Sequence, residues 1–191
     1  MRKRVCVAIT GGIGSGKSYV CHLLQKHGIE VYDSDAAAKR LLHSDATLRQ
    51  ELLNLVGAEV YRGADLQKKV LAKFILASDA NKQAVNEVVH PAVANDFIMS
   101  GCDWLESAIL FESGFHKRVD FDCVVCVSAP LEDRIARIMQ RDSLSRDDSQ
   151  EWIRRQMPQE EIIRLSDFTI VNDGRKNLEE QIEQIIHKIY Q

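Results

Sequence analysis

The sequence predicts a three-layer α/β fold, with helices on both faces of a parallel sheet of about five strands. Three observations carry that expectation. Short β-branched runs alternate with helical patterns along the chain. A glycine cluster, Gly11 to Gly16, separates the first such run from the first helical pattern. At 191 residues the chain is long enough for one full α/β core with a small inserted lid, and too short for two large independent domains.

Val5 to Ile9 reads as a buried parallel strand that ends at the glycines. Residues 16–27 follow a helical pattern, with Val20, Leu23 and Leu24 apolar and Gly28 placed to stop it. Ile29 to Tyr32 is a second short strand, so the opening is a βαβ unit with a right-handed crossover. Residues 36–100 are mostly helical. Leu41, Leu42, Leu48, Leu52, Leu53, Leu55 and Val56 make apolar faces, and helices are expected over Leu66–Leu76 and Ala80–Ser100. Pro91 should kink the latter or start a new helix after His90. Ser107 to Phe111 reads as the third strand, Cys123 to Val127 as the fourth and Phe168 to Val171 as the fifth. Pro130 opens a helix over 130–142, where proline is tolerated in the first turn. Residues 143–165 are charged and helical in composition, and about 175–190 form a last helix with Leu178, Ile182, Ile185, Ile186 and Ile189 on one stripe.

Hydrophobic residues make up 45% and charged residues 28%, as in ordinary globular proteins. A net charge of −3 gives no general attraction to nucleic acid or anionic membrane. No uninterrupted apolar run approaches the roughly 18 residues of a membrane span. The first residues, MRKRVCVAIT, run straight into the glycine loop and read as a strand instead of a signal peptide. Five cysteines without a framework spacing point to reduced thiols in a cytoplasm. Cys123 and Cys126 form a CxxC, but an offset of three along a strand puts the side chains on opposite faces, against a metal site.

Gly11-Gly12-Ile13-Gly14-Ser15-Gly16-Lys17-Ser18 matches GxxxxGK[ST] without a gap. Glycines let successive backbone N–H groups turn inward around phosphates, and the following helix N-terminus adds a favourable dipole. Lys17 can reach the β- and γ-phosphates, and the Ser18 hydroxyl can ligate Mg²⁺. The loop lies between an expected strand and an expected helix, which is its proper context, so the layers form a P-loop NTPase core. A GTPase switch would carry DxxG and NKxD; no Asp here has Gly three residues on, and Asn81-Lys82-Gln83-Ala84 lacks the aspartate.

Asp33 and Asp35 follow the second strand, at the end where parallel strands face a ligand crevice. Asp33 can take the proton of an attacking hydroxyl, or cap the next helix, a role that fits Asp35 better. Arg134, Arg137 and Arg141 share one helix face. They either stabilise charge on a transferring phosphoryl group or form a solvated face with pairs such as Asp133–Arg137. For Arg134 the solvated face is the preferred reading; for Arg137 and Arg141 both stay open. Glu112, at the expected end of the third strand, can bind Mg²⁺, substrate or an arginine. Spacing alone makes nothing of His90.

With these residues in view, the chain resembles the dephospho-CoA kinase family along nearly its whole length. ITGGIGSGKS at 9–18, Asp33-Ser34-Asp35, His90-Pro91, Leu110-Phe111-Glu112, Arg137 to Asp142 and Ile170-Val171-Asn172-Asp173-Gly174 fall in the family's order and spacing. The resemblance implies transfer of the ATP γ-phosphate to the ribose 3′-hydroxyl of dephospho-CoA, with Mg²⁺. It implies Asp33 as base and Lys17 and Arg141 as charge stabilisers. It implies ATP contacts from Gly12 through Tyr19 with Arg137 and Asn172, the last near adenine, and acceptor contacts from Asp35, His90, Phe111 and Glu112. A core of about 1–35, 104–142 and 166–191, an acceptor-binding helical region of about 36–103 and a lid of about 143–165 complete the expected single kinase domain, a monomer. The chain departs from the family at Ala108, usually proline, at Lys68, usually an arginine whose bidentate geometry lysine lacks, and at Tyr19, more often threonine.

Overall fold

The computed structural model describes residues 5–191; the reading of residues 1–4 as the lead into the first strand lies outside them. Two compact units partition the chain, one of residues 1–32 and 102–191, the other of residues 33–101.

The first unit carries the sheet. Its strands are β1 (Val7–Thr10), β2 (Val31–Asp33), β5 (Trp104–Glu106), β6 (Cys123–Ser128) and β7 (Phe168–Val171), in the order β2-β5-β1-β6-β7. β1 lies parallel to both β5 and β6, and β6 parallel to β7. All four residues of β1 are buried, as a central strand covered on both faces requires. Period-two alternation sends Val7 and Ile9 to one face with Val125, Val127 and Ile170. There they meet Val20, Leu23 and Leu24 of helix α1 (Lys17–Lys26) and Ile182 and Ile185 of helix α9 (Leu178–Tyr190). Each such side chain stabilises the fold by about 1.5–3 kcal/mol. Helix α6 (Leu131–Asp142) buries Ile135 and Ile138 completely, and two short helices, α7 (Arg146–Arg154) and α8 (Gln159–Arg164), follow it.

The third expected strand is displaced. Ser107 to Phe111 is not a strand; the ladder is made by Trp104–Glu106, in register with Val7–Ile9. Ser107 N–H still donates to Ile9 O at 3.0 Å, after which the chain turns away. The apolar content of 107–111 is used in that turn, where Leu110 is fully buried and Phe111 packs edge-on against His116 at 5.1 Å. Glu112 therefore lies within a turn, not at the end of a strand.

The second unit comprises α2 (Ser34–Ser44), α3 (Ala46–Val56), a hairpin of β3 (Tyr61–Arg62) and β4 (Asp65–Leu66), α4 (Lys68–Ala77) and α5 (Asp79–Ser100). Asp45 divides α2 from α3: its N–H closes α2 on Leu41 O, and its carboxylate caps α3 at Leu48 N–H, 2.9 Å. Pro91 neither ends α5 nor starts a new helix; α5 runs unbroken for 22 residues, with Val85, Val93 and Phe97 buried on either side of the proline. The apolar face is continuous through that turn, and its packing outweighs one missing N–H.

Candidate active site

The glycine loop joins β1 to α1, as the motif requires. Gly14 and Gly16 sit at φ 78° and 91°, where a side chain is strained. Space forbids one too: a Cβ on Gly14 would press on the Arg134 backbone, and one on Gly16 on the Asn172 amide. Ser15 is fully buried, and its hydroxyl has no hydrogen-bond partner among the described residues. The first turn of α1 leaves N–H groups without helical acceptors, which together with the inward loop makes an anion site.

Three side chains from distant sequence hold carbonyls of this loop. Arg134 Nε donates to Ile13 O at 2.9 Å. Arg137 donates through Nη1 to Gly14 O and Ser15 O, both at 3.2 Å, and through Nη2 to Asn172 O at 3.0 Å. Asn172 Nδ2 donates to Ser15 O at 2.9 Å, and its Oδ1 faces Arg137. The solvated reading preferred for Arg134 is thus overturned: only 4% of it is exposed, and burial lowers its pKa below the usual arginine range. Arg137 spends its donors on loop carbonyls instead of pairing with Asp133. Asn172, whose resemblance-based place is near adenine, has its amide committed to the loop backbone.

Lys17 is buried, with Nζ donating to Gly11 O at 2.6 Å and 3.8 Å from Glu106 Oε1. Glu106 escaped the sequence reading because the strand was placed after it. The available signal was the acid ending a Trp-Leu-Glu run beside β1. Ser18 and Tyr19 are exposed residues at the start of α1. Among the described residues no three His, Cys, Asp or Glu side chains gather as a metal site, the CxxC included. A divalent ion held here would take one serine oxygen and otherwise nucleotide oxygens and water, a donor set that suits Mg²⁺.

The remaining predicted residues divide. Arg141 does not join Arg134 and Arg137 at the loop: its side chain is 61% exposed and forms a forked pair with Asp142 at 2.7–3.1 Å. Glu112 accepts Met157 N–H at 2.9 Å, and in the same 155–158 connection Gln156 Oε1 accepts Ile13 N–H at 2.6 Å. Asp33, Asp35 and His90 belong to the second unit. Asp33, not Asp35, caps α2, its Oδ1 accepting Ala36 N–H at 2.9 Å; Asp35 lies in the first turn. Burial sets the strand cysteines apart: it is the first cause of thiol pKa values pushed up to about 12 for Cys123 and about 11 for Cys126. A cleft of about 490 Å³ in the second unit carries Asp45, Glu51, Glu87 and Asp96 on its walls.

A five-stranded parallel sheet, a glycine loop between strand and helix, a buried loop lysine and arginines bound to the loop define the class of P-loop kinases. Within that class the dephospho-CoA kinase family model, CoaE, matches residues 5–178, and the chain belongs to that family. A dephospho-CoA kinase of Bacteroides fragilis is 45% identical over 192 residues, spanning 97% of this chain and 93% of the relative. The solved structure of TT1252 from Thermus thermophilus is 32% identical, with a TM-score of 0.83 over 98% of each chain. Dephospho-CoA kinase from Campylobacter jejuni, at 20% identity, shares the fold with a TM-score of 0.67 over 97% of this chain and 96% of that one.

Proposed function

We propose that the chain transfers the γ-phosphate of ATP to the ribose 3′-hydroxyl of dephospho-CoA, giving coenzyme A and ADP, the last step of coenzyme A synthesis. The observation that carries this reading is the braced glycine loop with Lys17 buried in it, in a member of this family. Loop N–H groups bind the phosphate chain, and Lys17 exchanges Gly11 O for β- and γ-oxygens, following the charge as it shifts toward the leaving oxygen. Ser18 would hold Mg²⁺, which neutralises phosphate charge when bound.

Asp33 is the proposed base. Its Oδ1 is fixed by Ala36 N–H, which orients an exposed carboxylate and leaves the second oxygen to accept the 3′-hydroxyl proton. Arg141 would stabilise the transferring group from the edge of a lid formed by residues 143–165. Its pairing with Asp142 is a surface contact of little strength, and a phosphate competes with it readily. Residues 33–101, with Asp35 and His90, would bind the acceptor, and Phe111 and Glu112 would contribute from the turn after β5. No helix among the described residues is long and apolar enough to cross a membrane. Action as a monomer in the cytoplasm completes the proposal; the cysteine pattern supports the compartment, and the sequence pattern, with no long exposed apolar helix face, supports the monomer.

The test is ATP- and Mg²⁺-dependent phosphorylation of dephospho-CoA by the purified chain, with the product located by mass and ribose position. A 3′-phosphorylated product formed far faster than ATP is hydrolysed supports the reading. Bound ATP with transfer only to another alcohol, such as a nucleoside or a shikimate-like acceptor, would refute it.

A further inference from the structure

The motif accounts for the loop's backbone donors, yet one of them, Ile13 N–H, is engaged by a side chain 143 residues further on: Gln156 Oε1, at 2.6 Å. The chain just after that residue is itself fastened. Met157 N–H donates to Glu112 Oε1 at 2.9 Å, and Gln159 Oε1, at the start of α8, accepts Ala129 N–H at 3.1 Å beyond the end of β6. Side-chain bonds just after Gln156 therefore hold the 155–158 connection in place, and Gln156 itself reaches the glycine loop. Such anchorage is more than a solvated loop needs.

An amide has two chemically different ends. The partner at Ile13 is a donor, so the oxygen must face it, and the orientation of the Gln156 amide follows from chemistry alone. Its nitrogen, on the same carbon, is thereby kept at the mouth of the loop with two N–H groups that bond nothing among the described residues. Lys17 shows which phosphate lies there. Its ammonium, the group that serves β- and γ-phosphates, rests on Gly11 O, so the Gly11–Ile13 end is the γ end.

We propose that Gln156 is a γ-phosphate-positioning residue: its oxygen holds Ile13 N–H while its amide nitrogen donates to the terminal phosphate of the bound nucleotide. Gln156 thus discriminates a triphosphate from a diphosphate and ties the 155–158 connection to the presence of the group to be transferred. The inference rests on the reading of the glycine loop as an ATP site.

The test compares Gln156→Glu and Gln156→Met with the unaltered chain. Calorimetry measures Kd for ADP and for a non-hydrolysable ATP analogue, and thermal melting checks the fold. Glutamate keeps an acceptor for Ile13 N–H but replaces both donors with negative charge beside the γ-phosphate. The expected result is a loss of analogue affinity of about tenfold or more in Gln156→Glu, with ADP affinity almost unchanged. Gln156→Met should show the same selective loss, smaller because no repulsion is added. Equal weakening of both ligands would make Gln156 a mere tether, and an unchanged ratio of the two affinities in Gln156→Glu would likewise overturn the proposal. Failure of the unaltered chain to bind either nucleotide would instead sink the ATP-site reading itself.

Discussion

Replacing Arg137 with alanine removes one guanidinium that holds three backbone carbonyls from two places in the chain. Its bonds to Gly14 O and Ser15 O share Nη1 at 3.2 Å each, so together they count as about one full bond. The bond to Asn172 O at 3.0 Å is a second, and the contact with Asn172 Oδ1 at 3.4 Å adds little. A hydrogen bond from a charged donor contributes about 1.5–3 kcal/mol net, so two of them make the loss about 3–6 kcal/mol. For a chain of this length that lowers Tm by on the order of 10 °C. Arg137→Lys keeps the charge and one contact but loses the fork, so about half the loss is expected. The functional readout is KM for ATP. Freed carbonyls at Gly14 and Ser15 let the loop N–H groups turn from the phosphates, so KM should rise in step with the loss of stability. Melting curves and initial rates on the three proteins decide the matter. An Arg137→Ala protein that melts within about 2 °C of the parent, less than about 1 kcal/mol of stability, would refute the bracing argument, and so would an unchanged KM for ATP.

Asp33→Asn separates base from cap. Asparagine caps as well as aspartate, so Tm should hold while kcat for dephospho-CoA falls by about 10²–10⁴; a drop in Tm with kcat intact would make Asp33 structural only. Cys126 is protonated in the fold up to about pH 11 and ordinarily titrates near 9.0. Its contribution to stability is therefore complete below pH 9.0 and is lost as pH rises toward 11. Thiol labelling at pH 8 should find Cys126 protected until the chain unfolds; labelling at the rate of a free thiol would contradict this.

The glycine loop and the last strand were legible in the sequence because local chemistry decides them. GxxxxGKS has few other uses between a strand and a helix, and Phe168–Val171 is a short apolar run between polar flanks. The third strand was misplaced because composition favours Ser107–Phe111, whereas alignment with Val7–Ile9 selects Trp104–Glu106, a choice only the neighbouring strand can make. The arginine helix shows a different limit. Residues 134, 137 and 141 share a face, but seven residues separate first from last, about 10.5 Å along the axis. Arg134 and Arg137 reach the loop, and Arg141 stands at the far end beside Asp142. The periodicity identifies the face; it does not say what stands opposite, which is why Arg134 looked solvated. The division of α2 from α3 at Asp45 was hidden for a related reason: an aspartate between leucine-rich turns reads equally as a helix surface and as a cap.

The supports of the glycine loop lie 121 to 157 residues from the carbonyls and N–H groups they hold. Synthesis delivers the motif almost at once and its fastenings last. A nascent chain that has emerged through residue 130 contains every residue of GxxxxGKS, but none of Arg134, Arg137, Gln156 or Asn172. Phosphate binding is then a property that arrives only near the end of translation, so truncated chains carrying the full motif will not sequester nucleotide.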